Sequence, residues 1–206
     1  MNTKICLLLL LCPIYSMTQS INKQLSIGDT LPPIQWNQTL HTTPPLTLAS
    51  LKGQWVILDF WATWCSACTG SFNLIDSLQL RFKENLRFVL INPKESGDDS
   101  IRIQCFWNKR NNLLSSPSNL TITWGDTVAY NYFRFHVFPR YIWIDPQGIV
   151  RAITDKQELT QTNIEAILNG TIPNWPIKQD PPPNPIINQN KTQQHEKNSD
   201  HTTGTM

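Results

Sequence analysis

The chain has 206 residues, of which 40% are hydrophobic and 16% charged, with a formal net charge of +2. A near-neutral chain without a basic run or a nucleic-acid-binding motif argues against a polyanion partner, so we expect no nucleic acid. Without a leader and a tail about 150 residues remain, which suits one domain with a full core.

The first 20 residues predict a signal peptide. Lys4 supplies a positive start, residues 5–11 form an apolar core, and a more polar stretch follows. The apolar run is too short to cross a bilayer, which needs about 20 residues. We therefore expect export to the periplasm or cell envelope of a bacterium, where disulfides form and persist. The alternative is a leader that stays uncleaved and anchors the protein, which is the one membrane contact that we expect.

The next elements predict edge strands and then a buried strand. Residues 25–51 are rich in Thr, Pro and Leu, and proline confines strands to the edges of sheets. The apolar run WVIL at residues 55–58 predicts a buried strand. A helix is predicted after Cys65 and Cys68 because apolar residues recur there at helical spacing, namely Phe72, Ile75, Leu78 and Phe82.

Strands and helices alternate over the rest of the chain. Strands are predicted at residues 86–91, 120–124, 141–145 and 149–153, and helices at about residues 100–111, 127–133 and 159–168. Asp98 or Asp99 is predicted to cap the first of these helices. The order β-α-β-α-β-β-α predicts an α/β fold, a central mixed sheet flanked by helices on both faces.

The composition changes near the C-terminus, where prolines are followed by Asn, Gln, Lys and Thr. Such a segment buries too little apolar surface to offset the entropy of ordering it. The predicted organisation is therefore a signal peptide at residues 1–20, one domain at 21–178 and a disordered tail at 179–206.

Five cysteines are present, and two of them, Cys6 and Cys12, fall in the predicted leader. The mature chain would keep Cys65, Cys68 and Cys105, which is one pair and one leftover rather than a disulfide scaffold. Cys105 falls in a predicted helix, where we expect it to be a small buried apolar residue. The alternative for Cys105 is a resolving or regulatory thiol.

The pair Cys65 and Cys68 predicts thiol–disulfide exchange. A strand that leads into a helix with two cysteines in its first turn lets the two sulfurs close a small ring. Cys65 would face unpaired N–H groups and the positive end of the helix dipole, which lower a thiol pKa from about 8.5 toward 7 or below. No second cysteine pair or histidine pair stands at zinc-finger spacing, so we expect no structural zinc and no cofactor beyond the disulfide.

The string DFWATWCSAC at residues 59–68 resembles the active site of the thioredoxin superfamily. From about residue 27 to 170 the chain is most similar to exported TlpA/ResA-like thiol–disulfide oxidoreductases. The resemblance implies a thioredoxin fold with an N-terminal β-hairpin extension. Cys65 is then the attacking thiol, because it is the member nearer the surface, and Cys68 is the resolving thiol.

Two further residues match positions of the superfamily motif. Asp59 matches the buried aspartate of thioredoxins, where burial is expected to raise the carboxyl pKa so that it takes the proton of Cys68. An ordinary strand-end aspartate bonded to nearby backbone is the alternative. Pro139 matches the cis-proline opposite the cysteines, which exposes the preceding residue's backbone to pair with a substrate strand.

Other residues near the cysteines are expected to contact substrate. Trp64 is predicted to form a surface platform, and Phe138 stands before Pro139, where Thr, Val or Ile is more usual. Ser66 and Ala67 form the dipeptide between the cysteines, which tunes the thiol pKa and the reduction potential. The chain also has Ser71 where TlpA/ResA-like proteins often carry Glu.

We therefore expect an exported oxidoreductase, acting as a reductase on protein disulfides and reset by an upstream membrane electron donor. The alternative is a Sco-like copper chaperone using Cys65, Cys68 and His136, although Sco-like proteins have three residues between their cysteines. A peroxiredoxin is disfavoured because it needs a Pro and a Thr at set distances before its cysteine. Here Thr63 is one residue too close and that proline is lacking.

Overall fold

A computed structural model of the protein describes residues 23–42 and 45–181. The predicted signal peptide and the tail from residue 182 onward lie outside the described residues. Within the described part of the chain, no helix has the length and apolar character needed to span a membrane.

A mixed sheet of six strands organises the described residues, in the spatial order β2-β6-β5-β4-β7-β8. Its strands, in chain order, are β2 Thr39–Leu40, β4 Trp55–Phe60, β5 Leu86–Pro93, β6 Thr121–Asp126, β7 Arg140–Ile144 and β8 Val150–Thr154. β4 runs parallel to β5 on one side and antiparallel to β7 on the other. This central position buries all six residues of β4, which explains its apolar run.

Five α-helices accompany the sheet among the residues described: α1 Ser66–Thr69, α2 Phe72–Arg81, α3 Ser100–Asn111, α4 Val128–Phe133 and α5 Gln161–Leu168. A separate antiparallel pair, β1 Gln35–Trp36 and β3 Leu46–Thr47, forms the N-terminal hairpin. This is the architecture predicted from the resemblance, a thioredoxin fold with an N-terminal extension, and it is confirmed. The short strand β2 leaves the hairpin and pairs with β6 at the sheet edge.

Successive residues of β4 face opposite sides of the sheet, so the strand joins two apolar clusters. Ile57 packs with Phe72 and Ile75 of α2, in the cluster that contains both site cysteines. Leu58 packs on the other side, with Leu31 of the N-terminal segment. The cysteine pair therefore belongs to the apolar cluster on the face of the sheet that α2 covers.

Three details differ from the sequence predictions. The predicted helix after the cysteines is broken at residues 70–71 into α1 and α2, and Phe82 is the C-cap of α2 rather than a residue within it. The expectation that Cys105 is buried was wrong, because its thiol is exposed. Ile103 and Trp107 occupy the buried face of α3, and a residue midway between them points to solvent.

Candidate active site

The candidate active site lies where β4 ends. Cys65 is the N-cap of α1 and is joined to Cys68 by a disulfide. Cys65 is 7% exposed and Cys68 is fully buried, so Cys65 is the sulfur nearer the surface. The Cys68 backbone N–H donates to Cys65 Sγ at 3.2 Å. α1 has only four residues. The sulfur is therefore contacted by this one N–H group and not by the end of a long helix.

Asp59 lies within the sheet on the same side as the cysteines. Its side chain is fully buried, and neither carboxylate oxygen has a hydrogen-bond partner among the described residues. Burial raises the Asp59 pKa well above its usual value. Asp59 is therefore not a strand-end aspartate bonded to backbone, as the alternative interpretation required.

Tyr141 faces Asp59 across the sheet and was not singled out from the sequence. The two residues are direct partners in the antiparallel pairing of β4 and β7, which puts their side chains on one face. Tyr141 is fully buried, and its hydroxyl also lacks a partner in the described structure. Burial, and then the charge of Asp59, raise the Tyr141 pKa. The nearby Ser71 hydroxyl donates to the Ala67 carbonyl instead, at 3.2 Å.

A hydrogen-bonded group that we call the Asp98 network, Thr63, Asn92, Ser96 and Asp98, anchors the loop before Cys65. The Asp98 carboxylate accepts from the Thr63 backbone N–H at 2.7 Å and from the Thr63 hydroxyl at 2.6 Å. It also accepts from Asn92 Nδ2 at 2.8 Å, and Asn92 accepts from Ser96 Oγ at 2.9 Å. Asp99, not Asp98, caps α3, which frees Asp98 for this role.

Trp64 and Phe138 meet on the surface beside the disulfide. Trp64 is 60% exposed, and its indole N–H donates to the Ser96 carbonyl at 2.9 Å. Its ring meets Phe138 edge to face, with centroids 5.6 Å apart. The other tryptophan of the motif, Trp61, is fully buried against Phe72. The structure therefore brings one predicted substrate-contact pair together and assigns Trp61 to packing.

The Pro139 loop, residues 134–139, forms the other wall of the site. The peptide bond between Phe138 and Pro139 is cis, and β7 begins at the next residue, Arg140. Arg140 pairs with Phe60, the last residue of β4. The Pro139 loop and the cysteine loop therefore lie at the same end of these two strands. On α1, Ser66 is exposed and Ala67 is half-buried.

His136 belongs to the Pro139 loop and is exposed. In residues 23–42 and 45–181, no three His, Cys, Asp or Glu side chains are grouped closely enough to hold a metal ion. The copper set Cys65, Cys68 and His136 is therefore not assembled in this structure.

The disulfide lies just below the surface, where Cys65 is 7% exposed and Cys68 is fully buried. A cavity of about 800 Å³ is bordered by Gln54, Asp76 and Arg87, and Gln54 precedes β4 at the end opposite the cysteines. None of the predicted site residues lines that cavity. The exposed Trp64, which contacts the half-buried Phe138 beside Cys65, suits a polypeptide better than an enclosed small molecule.

Comparison with known proteins agrees with this geometry. The Redoxin family model matches residues 26–168. The chain is 30% identical over 177 residues to the thiol-disulfide oxidoreductase ResA of Oceanobacillus iheyensis, an alignment that covers 84% of this chain and 88% of that protein. It is also 30% identical over 172 residues to ResA of Bacillus subtilis, covering 79% of this chain and 88% of that protein.

Among solved structures, a putative thiol:disulfide interchange protein DsbE from Chlorobium tepidum has the same fold. Its TM-score is 0.58 at 23% identity, and the match covers 70% of this chain and 99% of that one. From the family match, the ResA relatives and the Cys65–Cys68 disulfide, we conclude that the chain belongs to the Redoxin family and is a thioredoxin-like, ResA-like thiol–disulfide oxidoreductase.

Proposed function

We propose that the protein is an exported reductase of protein disulfides. The observation that carries the proposal is the Cys65–Cys68 disulfide beside an aromatic pair at the surface, the exposed Trp64 and the half-buried Phe138. Export is supported by the predicted signal peptide. The reductase direction is supported by the resemblance to TlpA/ResA-like proteins, which are commonly reductases.

The reaction would use both cysteines in two steps. The Cys65 thiolate attacks one sulfur of the substrate disulfide; a mixed disulfide forms, the substrate bond breaks, and the other substrate sulfur leaves as a thiolate. Cys68 loses its proton, attacks Cys65 Sγ and closes the Cys65–Cys68 bond, which releases the second substrate thiolate. The substrate gains two electrons, the cysteine pair loses two, and water supplies the protons.

Asp59 would take the proton from Cys68 in the second step. Burial raises the pKa of the Asp59 carboxyl, which makes its carboxylate a stronger base toward a thiol proton than an exposed carboxylate. Its fully buried position on the face that carries Cys68 supports this role. The cross-strand phenol of Tyr141 is a polar group close to the same carboxylate.

Substrate recognition would use the surface around Cys65. Trp64 and Phe138 offer an aromatic platform to an apolar stretch of polypeptide. Pro139 and the backbone before it would pair with the substrate chain, and Ser66 and Ala67 would contact the residues that flank the substrate cysteine. The oxidised pair needs a dithiol donor to reset it, which we expect to be a membrane protein.

The reduction potential of the Cys65–Cys68 pair tests the proposal. The protein would be equilibrated with glutathione or dithiothreitol buffers, and the fraction of disulfide would be read by alkylation. A potential near that of thioredoxin, about −270 mV, is the expected result. A potential near about −120 mV would contradict the reductase direction and make the protein a disulfide donor.

A further inference from the structure

The C-terminal segment, residues 171–181, follows the edge of the sheet toward the active site. Trp175 packs edge to face on Trp143 of β7, with ring centroids 4.8 Å apart. Farther along, the Lys178 backbone N–H donates to the Ile153 carbonyl of β8 at 2.9 Å. Because the neighbouring residue of β8 pairs with Tyr141 near the start of β7, Lys178 lies level with the Pro139 loop.

The Lys178 side chain contacts the Pro139 loop directly. Its ammonium donates to the Pro139 carbonyl and forms an ion pair with Asp155 at 3.3 Å. The Lys178 side chain is only 8% exposed, so its charge is largely removed from water. A buried ammonium is retained only where acceptors surround it, and here one acceptor is the backbone of Pro139.

Asp180 contacts the same loop from a second direction. Its carboxylate accepts from Arg140 Nη2 at 2.6 Å and from the His136 backbone N–H at 2.8 Å. Arg140, whose side chain is 8% exposed, also donates to the Lys178 carbonyl at 3.2 Å. His136, before Phe138, and Pro139 and Arg140, after it, are thus all bonded to the C-terminal segment.

Aromatic contacts connect this anchor to the cysteines. The Arg140 guanidinium lies 4.7 Å from the ring centre of Phe135, and Phe135 meets Phe138 edge to face at 5.3 Å. Phe138 in turn contacts Trp64, the residue before Cys65. A displacement of the Pro139 loop would therefore move the aromatic platform while the disulfide itself stays on α1.

We propose that Lys178 and Asp180 are positioning residues for polypeptide substrates, holding the Pro139 loop where Phe138 and Pro139 contact the substrate chain. This inference rests on the proposed function. Both residues lie beyond residues 26–168, the part matched by the Redoxin family, so the family match does not account for them. If the segment only covered the sheet edge, the packing of Trp175 would be sufficient. The contacts of Lys178 and Asp180 with the Pro139 loop would then have no purpose.

The test compares how fast the fully reduced, full-length protein reduces two different disulfide substrates. One is a synthetic peptide that contains an internal disulfide, and the other is dithiobis(nitrobenzoate), a small disulfide without a peptide backbone. The variants are Lys178→Met, Asp180→Ala and Asp180→Asn, of which the last keeps an acceptor oxygen for the His136 N–H. Lys52→Met and Glu84→Ala are matched controls, because both side chains are exposed and precede the parallel strands β4 and β5, at the end of the sheet opposite the Pro139 loop.

We expect Lys178→Met and Asp180→Ala to lower the second-order rate constant for reduction of the peptide about tenfold, with the dithiobis(nitrobenzoate) rate constant within about twofold of the parent. Asp180→Asn should fall between Asp180→Ala and the parent protein, and the controls should match the parent. Equal loss on both substrates, or no loss on either, would overturn the positioning role. A parent protein that reduces neither disulfide would overturn the proposed function and this inference with it.

Hydrogen exchange gives a second readout that does not depend on turnover. The His136 amide should exchange about tenfold faster in Asp180→Ala than in the parent, because its acceptor is removed. Amides of β4 should be unchanged. Exchange that is unaltered at His136 would overturn the inference, and exchange that is faster throughout the sheet would show a general loss of stability and overturn it as well.

Discussion

Two loops flank the Cys65–Cys68 disulfide, and they are anchored by different chemistry. The loop before Cys65 is bonded to the fully buried Asp98 carboxylate, which accepts from neutral donors of Thr63 and Asn92 at 2.6–2.8 Å and from the exposed Arg102 only at 3.5 Å. The Pro139 loop is held by charged side chains, Lys178 and Asp180, from the end of the domain. Asp98 lies within the part matched by the Redoxin family, whereas the other two lie outside it.

Under the proposed function, this difference would separate catalysis from recognition. The Asp98 network fixes the segment that leads directly into the attacking cysteine, so disturbing it should affect every substrate. The C-terminal segment fixes the wall opposite the disulfide, so disturbing it should affect substrates that use that wall. A family can keep the first anchor and alter the second, because a chain terminus changes without breaking the sheet.

The largest effect on activity is expected from substitution of Cys65, which lies between the two loops. Cys65→Ser should lower disulfide exchange by about 10³-fold or more, because the nucleophile is lost, while the fold is retained. Circular dichroism and a thiol-exchange assay measure the two properties. Cys68→Ser is the matched variant, and it should trap mixed disulfides that are visible on non-reducing gels. Unchanged turnover in Cys65→Ser would contradict the site assignment.

The two anchors should differ in their contribution to stability. Asp98→Ala should lower the free energy of unfolding by about 3 kcal/mol, because one buried donor on Asn92 and two part-buried donors on Thr63 lose their acceptor. Asp180→Ala should cost about 1 kcal/mol, because its side chain is partly exposed and screened by water. Urea denaturation measures both values. Asp99→Ala, which removes only the N-cap of α3, is the matched control at about 1 kcal/mol; equal costs for Asp98 and Asp99 would contradict the network.

Asp59, between the two loops, should respond to pH in a defined direction. Its pKa is raised in the folded protein, so its contribution to stability is fully present below the unfolded value of about 3.9 and is lost as pH rises. The stability of Asp59→Asn minus that of the parent should therefore be more favourable at pH 8 than at pH 4, by at least about 1 kcal/mol. The same variant should release mixed disulfides more slowly near neutral pH.

Urea denaturation across pH and single-turnover kinetics measure these two effects of Asp59. A release rate with the same pH profile in Asp59→Asn and the parent would count against the base role.

The smallest effect is expected at Tyr141, on the strand that follows the Pro139 loop. Tyr141→Phe should be neutral or stabilise the protein by about 1 kcal/mol, because it removes a buried hydroxyl with no described partner. Thermal unfolding at low pH, where Asp59 is protonated, measures this difference. A loss of about 1 kcal/mol or more would show instead that the hydroxyl bonds Asp59 in solution.

The sequence by itself determined the element order and the centre of the site. Apolar runs predicted the strands, and the spacing of Cys65 and Cys68 at the end of β4 predicted the disulfide, because both signals are local in the chain. The resemblance carried by residues 59–68 predicted the thioredoxin fold and the N-terminal hairpin. The structure and the family match confirm both.

Tertiary structure alone decided what surrounds that centre. Nothing near Asp98 in the chain indicates that it bonds Thr63 instead of capping α3, because that choice depends on how β5 and the cysteine loop meet. Tyr141 faces Asp59 only through the register of β4 and β7. Composition predicts that the domain ends at Lys178 and that Asp180 belongs to the tail, yet both residues form ion pairs and backbone contacts with the domain. Contacts between segments distant in the chain leave no periodic pattern, so a local pattern cannot predict them.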